Sequence, residues 1–122
     1  MGINEFALLL IKQFVIKGLY IYKYQTVEYS NNPRLNMEND KTYLYILEKG
    51  VTPKLLAETV IQNLKVSECY KTDQDENEKF GKGIVYFFKT RQFGDELYVK
   101  VKLPDDISKL LIFSIHKDGI YD

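Results

Sequence analysis

Residues 96–103, Glu-Leu-Tyr-Val-Lys-Val-Lys-Leu, alternate apolar and polar side chains without a break. Successive side chains on an extended chain point to opposite faces, so only a strand sorts such a run cleanly. Leu97, Val99, Val101 and Leu103 then belong against a core, while Glu96, Tyr98, Lys100 and Lys102 share the opposite face. A strand with one apolar side needs paired neighbours and a covering layer. Antiparallel sheets tolerate one solvated face, and this sequence asks for such a sheet.

The flanking segments supply the neighbours. Residues 84–90 and 110–116 are rich in β-branched and aromatic side chains, and turn signals at 91–95 and at Pro104-Asp105-Asp106 separate them from the central run. Short connections make adjacent strands antiparallel, which gives a three-strand meander. In the last strand Leu111, Phe113 and Ile115 are expected inward, which puts Ser114 and His116 on the face of Tyr98 and Lys100.

The first half reads as mostly helical. Helical spacing of Phe6, Leu9, Leu10, Gln13, Phe14 and Lys17 predicts a helix over 3–17, stopped by Gly18. Residues 19–29 are strand formers and predict one long or bent strand, closed by the loop signal Ser30-Asn31-Asn32-Pro33. A short helix with Asn39 or Asp40 as cap and Tyr43, Leu44 and Leu47 as its stripe ends at Gly50. Thr52 then caps another, with Pro53 at the first helical position and Leu55, Leu56, Thr59, Val60, Asn63 and Leu64 carrying it to about Lys65. Residues 67–71 form an extended or turn segment leading into an acidic loop. The expectation is a single α+β domain over 1–122, of order α-β-α-α-β-β-β. An antiparallel sheet, made of the meander plus an N-terminal strand, packs against about three helices.

Charge and motif usage narrow the chemistry. The 17 basic and 17 acidic side chains cancel, which argues against unspecific binding of polyanions. The cancellation is not local: residues 79–102 hold six Lys or Arg (Lys79, Lys82, Lys89, Arg91, Lys100, Lys102) against Asp95 and Glu96, directly after Asp73, Asp75, Glu76 and Glu78. The lone Cys69 rules out an internal disulfide and fits a reducing, cytoplasmic setting. The apolar run 6–11 is far short of a membrane span, so no membrane partner is expected. His and Cys lack metal-ligand spacing, the acidic loop lacks the calcium-loop pattern, and Gly81-x-Gly83 is not a phosphate-cradling loop, so no cofactor is expected. His116 is the only histidine, and thus the only side chain with an unperturbed pKa near neutrality.

A set of ordered motifs points to a family. Arg34-x-Asn36 precedes a helix, Gly50-Val51-Thr52 opens the next, and Leu64-x-x-x-Glu68-Cys69-Tyr70-Lys71 closes it. The acidic loop follows, then residues 83–88, residues 96–102 and Ser114-Ile115-His116. Over roughly residues 34–116 the chain resembles the motility quorum-sensing regulator (MqsR) toxin family, mRNA interferases of bacterial toxin–antitoxin pairs with a RelE-like fold. The resemblance implies a RelE-like domain, messenger RNA as substrate, a cognate antitoxin protein as partner and no DNA binding by this chain alone. It gives Lys71 the place of the family's functional lysine and Tyr98 that of the tyrosine in its Tyr-x-Lys strand. The family's glutamine on the preceding strand falls, without gaps, at Val85.

The implied reaction needs no metal. A base takes the ribose 2′-hydroxyl proton, the oxygen attacks the adjacent phosphate, and the 5′-oxygen leaves. Lys71, Tyr98 and His116 are the candidate catalytic residues, with charge from Lys71 and Lys100, and Lys89, Arg91, Lys100 and Lys102 as candidate RNA contacts. Tyr86 or Phe88 would stack an unpaired base. Two other readings are a non-catalytic RelE-like module that binds RNA or a protein, and a dimer that pairs through the edge of strand 19–29.

Overall fold

A computed structural model describes residues 2–76, 81–106 and 108–119. Glu78 and Lys79, counted above in the acidic loop and the basic segment, lie outside the described residues. The helices begin where side chains replace missing backbone acceptors. Asn4 caps α1 (Glu5–Ile16), its side chain accepting from Ala7 N at 2.7 Å, and Gly18 follows with φ 71°. Asp40 caps α3 (Lys41–Lys49), accepting from the Thr42 and Tyr43 amides, and Gly50 ends it at φ 66°. Thr52 caps α4 (Pro53–Gln62), accepting from Leu55 N with Pro53 in the first turn, as the sequence predicts.

The segment 19–29 departs from expectation. Only Tyr20–Tyr22 forms a strand, β1; a 3₁₀ turn follows at Lys23–Gln25, then the four-residue helix α2 (Val27–Ser30). Local caps divert the chain: the Tyr22 amide donates to the Gln25 side chain, and Thr26 Oγ1 accepts from Tyr29 N. The long aromatic edge expected to pair two copies is therefore not formed.

A single five-stranded sheet is built from β1, β2 (Cys69–Asp75), β3 (Gly83–Gln92), β4 (Asp95–Pro104) and β5 (Leu110–Lys117), in the order β1-β5-β4-β3-β2. The meander β3-β4-β5 is antiparallel as predicted, but β1 runs parallel to β5, so the sheet is mixed. A fifth strand arises because Cys69–Asp75, expected as a short extended or turn segment leading into an acidic loop, pairs antiparallel with β3. The architecture is α+β; the described residues form four α-helices, none long and apolar enough to cross a membrane.

One face of the sheet is covered. Leu97, Val99 and Val101 of β4 are fully buried in one cluster with Tyr86 and Phe88 of β3, Ile112 and Ile115 of β5, and side chains of α1 and α4. Leu56 and Val60 of α4 and Phe14 of α1 are buried as expected, but α1 and α3 otherwise turn a different side inward from the one expected. Leu8, Ile11 and Val15 of α1, Tyr45 and Ile46 of α3, and Leu56, Ala57 and Val60 of α4 are buried. Phe6, Leu9, Leu47 and Leu55 are exposed. Each helix carries two overlapping apolar stripes, and periodicity alone does not choose between them. Past Ile112, no strand among the described residues pairs with β5 on its β1 side. There α3 takes over the edge, and Ile115 N donates to Thr42 Oγ1 at 3.0 Å.

Candidate functional site

The other sheet face carries the polar half of β4, and register shows what gathers around it. Cross-strand partners share a face. Lys100 pairs with Phe87 on one side and Ser114 on the other, and Tyr98 pairs with Lys89 and His116. Lys71 pairs with Phe87 from β2. Register thus brings Lys71, Lys89, Tyr98, Lys100, Ser114 and His116 to one surface, the grouping that strand alternation anticipated for β4 and β5.

Two bulges add rings that alternation does not predict. β5 carries Phe113 as an extra residue between Ile112 and Ser114, and β2 carries Tyr70 as an extra residue between Cys69 and Lys71. A bulge re-aims side chains by adding a residue, which bends the strand and resets which residues face each side. Phe113, expected inward, thereby meets the Lys100 ammonium at 4.9 Å from its centroid, and Tyr70 meets the Lys89 ammonium at 5.3 Å. Leu111 likewise pairs with Lys102 on the outer face instead of joining the core cluster. The residues expected to stack a base, Tyr86 and Phe88, point inward and are 7% and 0% exposed; Phe87 occupies the outer face instead.

The face is a lattice of rings and ammonium groups. Lys71 and Lys100 stand 4.9 and 5.4 Å from the Phe87 centroid. Lys100 and Lys23 stand 4.9 and 5.8 Å from that of Phe113. The Tyr98 ring lies 6.5 Å from Phe87 and 5.4 Å from His116. Lys23 is absent from the sequence-derived set: it arrives on the turn after β1, and no strand periodicity reaches it.

The cations differ in their pairing. Lys71 faces Asp73 at 3.8 Å, Lys89 faces Asp118 at 3.4 Å, and Arg91 faces Glu96 at 3.0 Å near the β3–β4 turn. Lys102 is withdrawn altogether: its side chain is 0% exposed, and its ammonium donates to Asp75 at 2.9 Å and to the Gly81 carbonyl. It braces the β2–β3 hairpin and is out of reach of a ligand on the face. Lys23 and Lys100 have no carboxylate in ion-pair contact among the described residues. Burial, and next the neighbouring Lys23 charge, lower the Lys100 pKa from the usual lysine range, with Asp75 opposing. His116 is 2% exposed, and its Nδ1 lies 2.9 Å from the Lys117 carbonyl oxygen, so Nδ1 carries the proton and donates. In the neutral ring the lone pair then belongs to Nε2.

An open, half-apolar cationic sheet face with a tyrosine–histidine pair defines the class of site. Among the described residues, no group of three or more His, Cys, Asp or Glu side chains is placed to hold a metal ion. No family model, curated protein or solved structure matches the chain.

Proposed function

We propose that this chain binds single-stranded RNA on the outer face of its sheet and cleaves it by 2′-hydroxyl attack. In this reading it is a cytoplasmic mRNA interferase toxin held in check by a cognate antitoxin protein, the function that the resemblance to the MqsR family implies. One observation carries the reading: Lys23 and Lys100 crowd the same Phe113 ring on the face that carries Tyr98, and neither is ion-paired among the described residues. Two ammonium groups held together in a partly desolvated site disfavour the empty state and favour a bound anion. Aromatic rings between them suit unpaired bases.

Within that reading each group has a task. Lys71 and Lys100 flank Phe87 and hold successive phosphates, Lys100 meeting the negative charge that grows on the reacting one. The Lys100 ammonium, more acidic than usual, is the proton donor nearest to hand for the departing 5′-oxygen. Tyr98 orients the ribose, and His116 behind it accepts the 2′-hydroxyl proton. The O2′–P bond forms as the P–O5′ bond breaks, leaving a cyclic phosphate and a free 5′-hydroxyl.

The deep seat of His116 and the buried Val85 at the position of the family's glutamine favour a second reading, a non-catalytic RNA-binding module. End-labelled messenger RNA separates the two. The enzyme yields fragments with 2′,3′-cyclic phosphate ends, and Tyr98→Phe with Lys71→Ala slows cleavage at least 100-fold, on the scale of general acid–base contributions. RNA bound but left intact establishes the second reading. Wild-type cleavage by the double variant overturns the site.

A further inference from the structure

The outer face has an order that single contacts do not convey. Across four neighbouring segments, β2, β3, β4 and β5, and on to the turn after β1, the side chains run Lys71, Phe87, Lys100, Phe113, Lys23. Each ring is bracketed by two ammonium groups, at 4.9 and 5.4 Å for Phe87 and 4.9 and 5.8 Å for Phe113. Lys100 serves both rings.

We infer that this row is a track for two consecutive unpaired nucleotides laid across the strands, with a base on Phe87, a base on Phe113 and their three phosphates at Lys71, Lys100 and Lys23. The inference rests on the RNA reading above and adds the path, the register and two residues, Lys23 and Phe113, outside the set drawn from the sequence.

Three features of the row argue for this occupant. Lys71 and Lys100 stand on strands two apart, roughly 10 Å in the hydrogen-bonding direction. The two rings are too far apart for bases stacked on each other, so a strand that uses both must splay its bases, with the long lysine side chains reaching in to its phosphates. The rings present flat apolar surface to any base, which suits stacking without base-edge readout. The carboxylates lie at the margins: Asp73 beside Lys71, Asp75 tied to Lys102, and Asp118 beside Lys89. A polyanion that runs along β2 stays beside Asp73 and Asp75, whereas one that crosses from β2 to Lys23 moves away from both.

Binding of fluorescent 2′-O-methyl oligouridine, which lacks the attacking hydroxyl, tests the track against salt. Three phosphate contacts on a single strand give a slope of log affinity on log salt of about −2, and Lys23→Ala reduces its magnitude by about 0.7. Phe113→Ala weakens binding roughly 5- to 150-fold, the range for one base–aromatic stack. Phe113→Leu, which keeps apolar volume in the bulge, does the same if the ring itself is what binds. Lys54→Ala, on α4 away from this face, leaves affinity unchanged. If the wild type binds RNA and the Lys23 and Phe113 variants bind equally well, the track is wrong and the RNA reading stands. If the wild type binds no RNA, both fall. If oligoglutamate competes as well as oligouridine, the face is an acidic-peptide site and the track is overturned.

Discussion

Phe87 and Phe88 are neighbours in the chain and lie on opposite sides of the sheet, Phe88 fully buried against the helices and Phe87 under the ammonium groups of Lys71 and Lys100. Their substitution separates stability from binding. Phe88→Ala is expected to cost about 3–5 kcal/mol, the cost of emptying a large core site. Phe87→Ala is expected to cost about 1–2 kcal/mol, because a half-buried ring loses two cation–π contacts and its contacts with Tyr70 and Tyr98. Urea denaturation gives both numbers. The affinity for RNA should follow the reverse order, and equal stability losses would contradict the register of β3.

Lys102 stands in the polar row of β4 yet behaves as a core residue. Lys102→Ala removes a fully buried stem together with the ion pair and the bond to Gly81, and is expected to destabilise by about 3 kcal/mol. Lys102→Met should cost less, since it keeps the stem and leaves a partly exposed Asp75 that water can reach. Neither variant, where folded, should alter the salt slope of RNA binding. A reduced slope would return Lys102 to the binding face.

The phenol of Tyr45 donates to Asp95 at 2.7 Å, and Lys49 meets the same carboxylate at 3.0 Å, tying α3 to the first residue of β4. The Tyr45 hydrogen bond, with that of Lys49, holds the Asp95 pKa below the ordinary value. A carboxyl lowered on folding stabilises the protein above its unfolded pKa near 3.9, and that contribution is lost as pH falls through the lower folded value. Tyr45→Phe is therefore expected to lose about 1 kcal/mol at pH 7, with the deficit shrinking below about pH 4. Thermal unfolding between pH 7 and 2 shows whether the two curves converge.

The β3–β4 turn places Phe93 at φ 55° and Gly94 at φ 76°. The second is ordinary for glycine; the first is strained for a bulky side chain, where asparagine is at home. Phe93→Asn is expected to raise stability by about 1 kcal/mol. A loss instead would show that the ring braces the turn against the groove it lines with Thr59 and Asn63.

How much of this was legible in the sequence varied with the kind of signal. Local chemistry acts within a few residues, so Thr52-Pro53 opening α4, Gly50 closing α3 and the inward Leu97, Val99 and Val101 could all be read directly. Parity failed in β3, because residues 84–88 are apolar throughout and offer no alternation to follow. It failed again in β5, where one bulge shifts Leu111 and Phe113 to the face opposite the one that simple alternation assigns. The helices 3–17 and 53–65 were recognised, but which stripe turned inward was decided by the sheet they cover.

The outer row of β4 was determined by the chain itself: Glu96, Tyr98, Lys100 and Lys102 share a face in any strand. Tertiary structure alone decided what that row became. It buried Lys102 by bringing Asp75 and Gly81 against it, and it turned Phe87, Phe113 and Tyr70 outward through register and two bulges. It also brought Lys23 from the other end of the chain, because β1 joins β5 in parallel and the next turn ends beside Phe113. Periodicity describes one segment at a time, whereas a binding surface is made where segments meet.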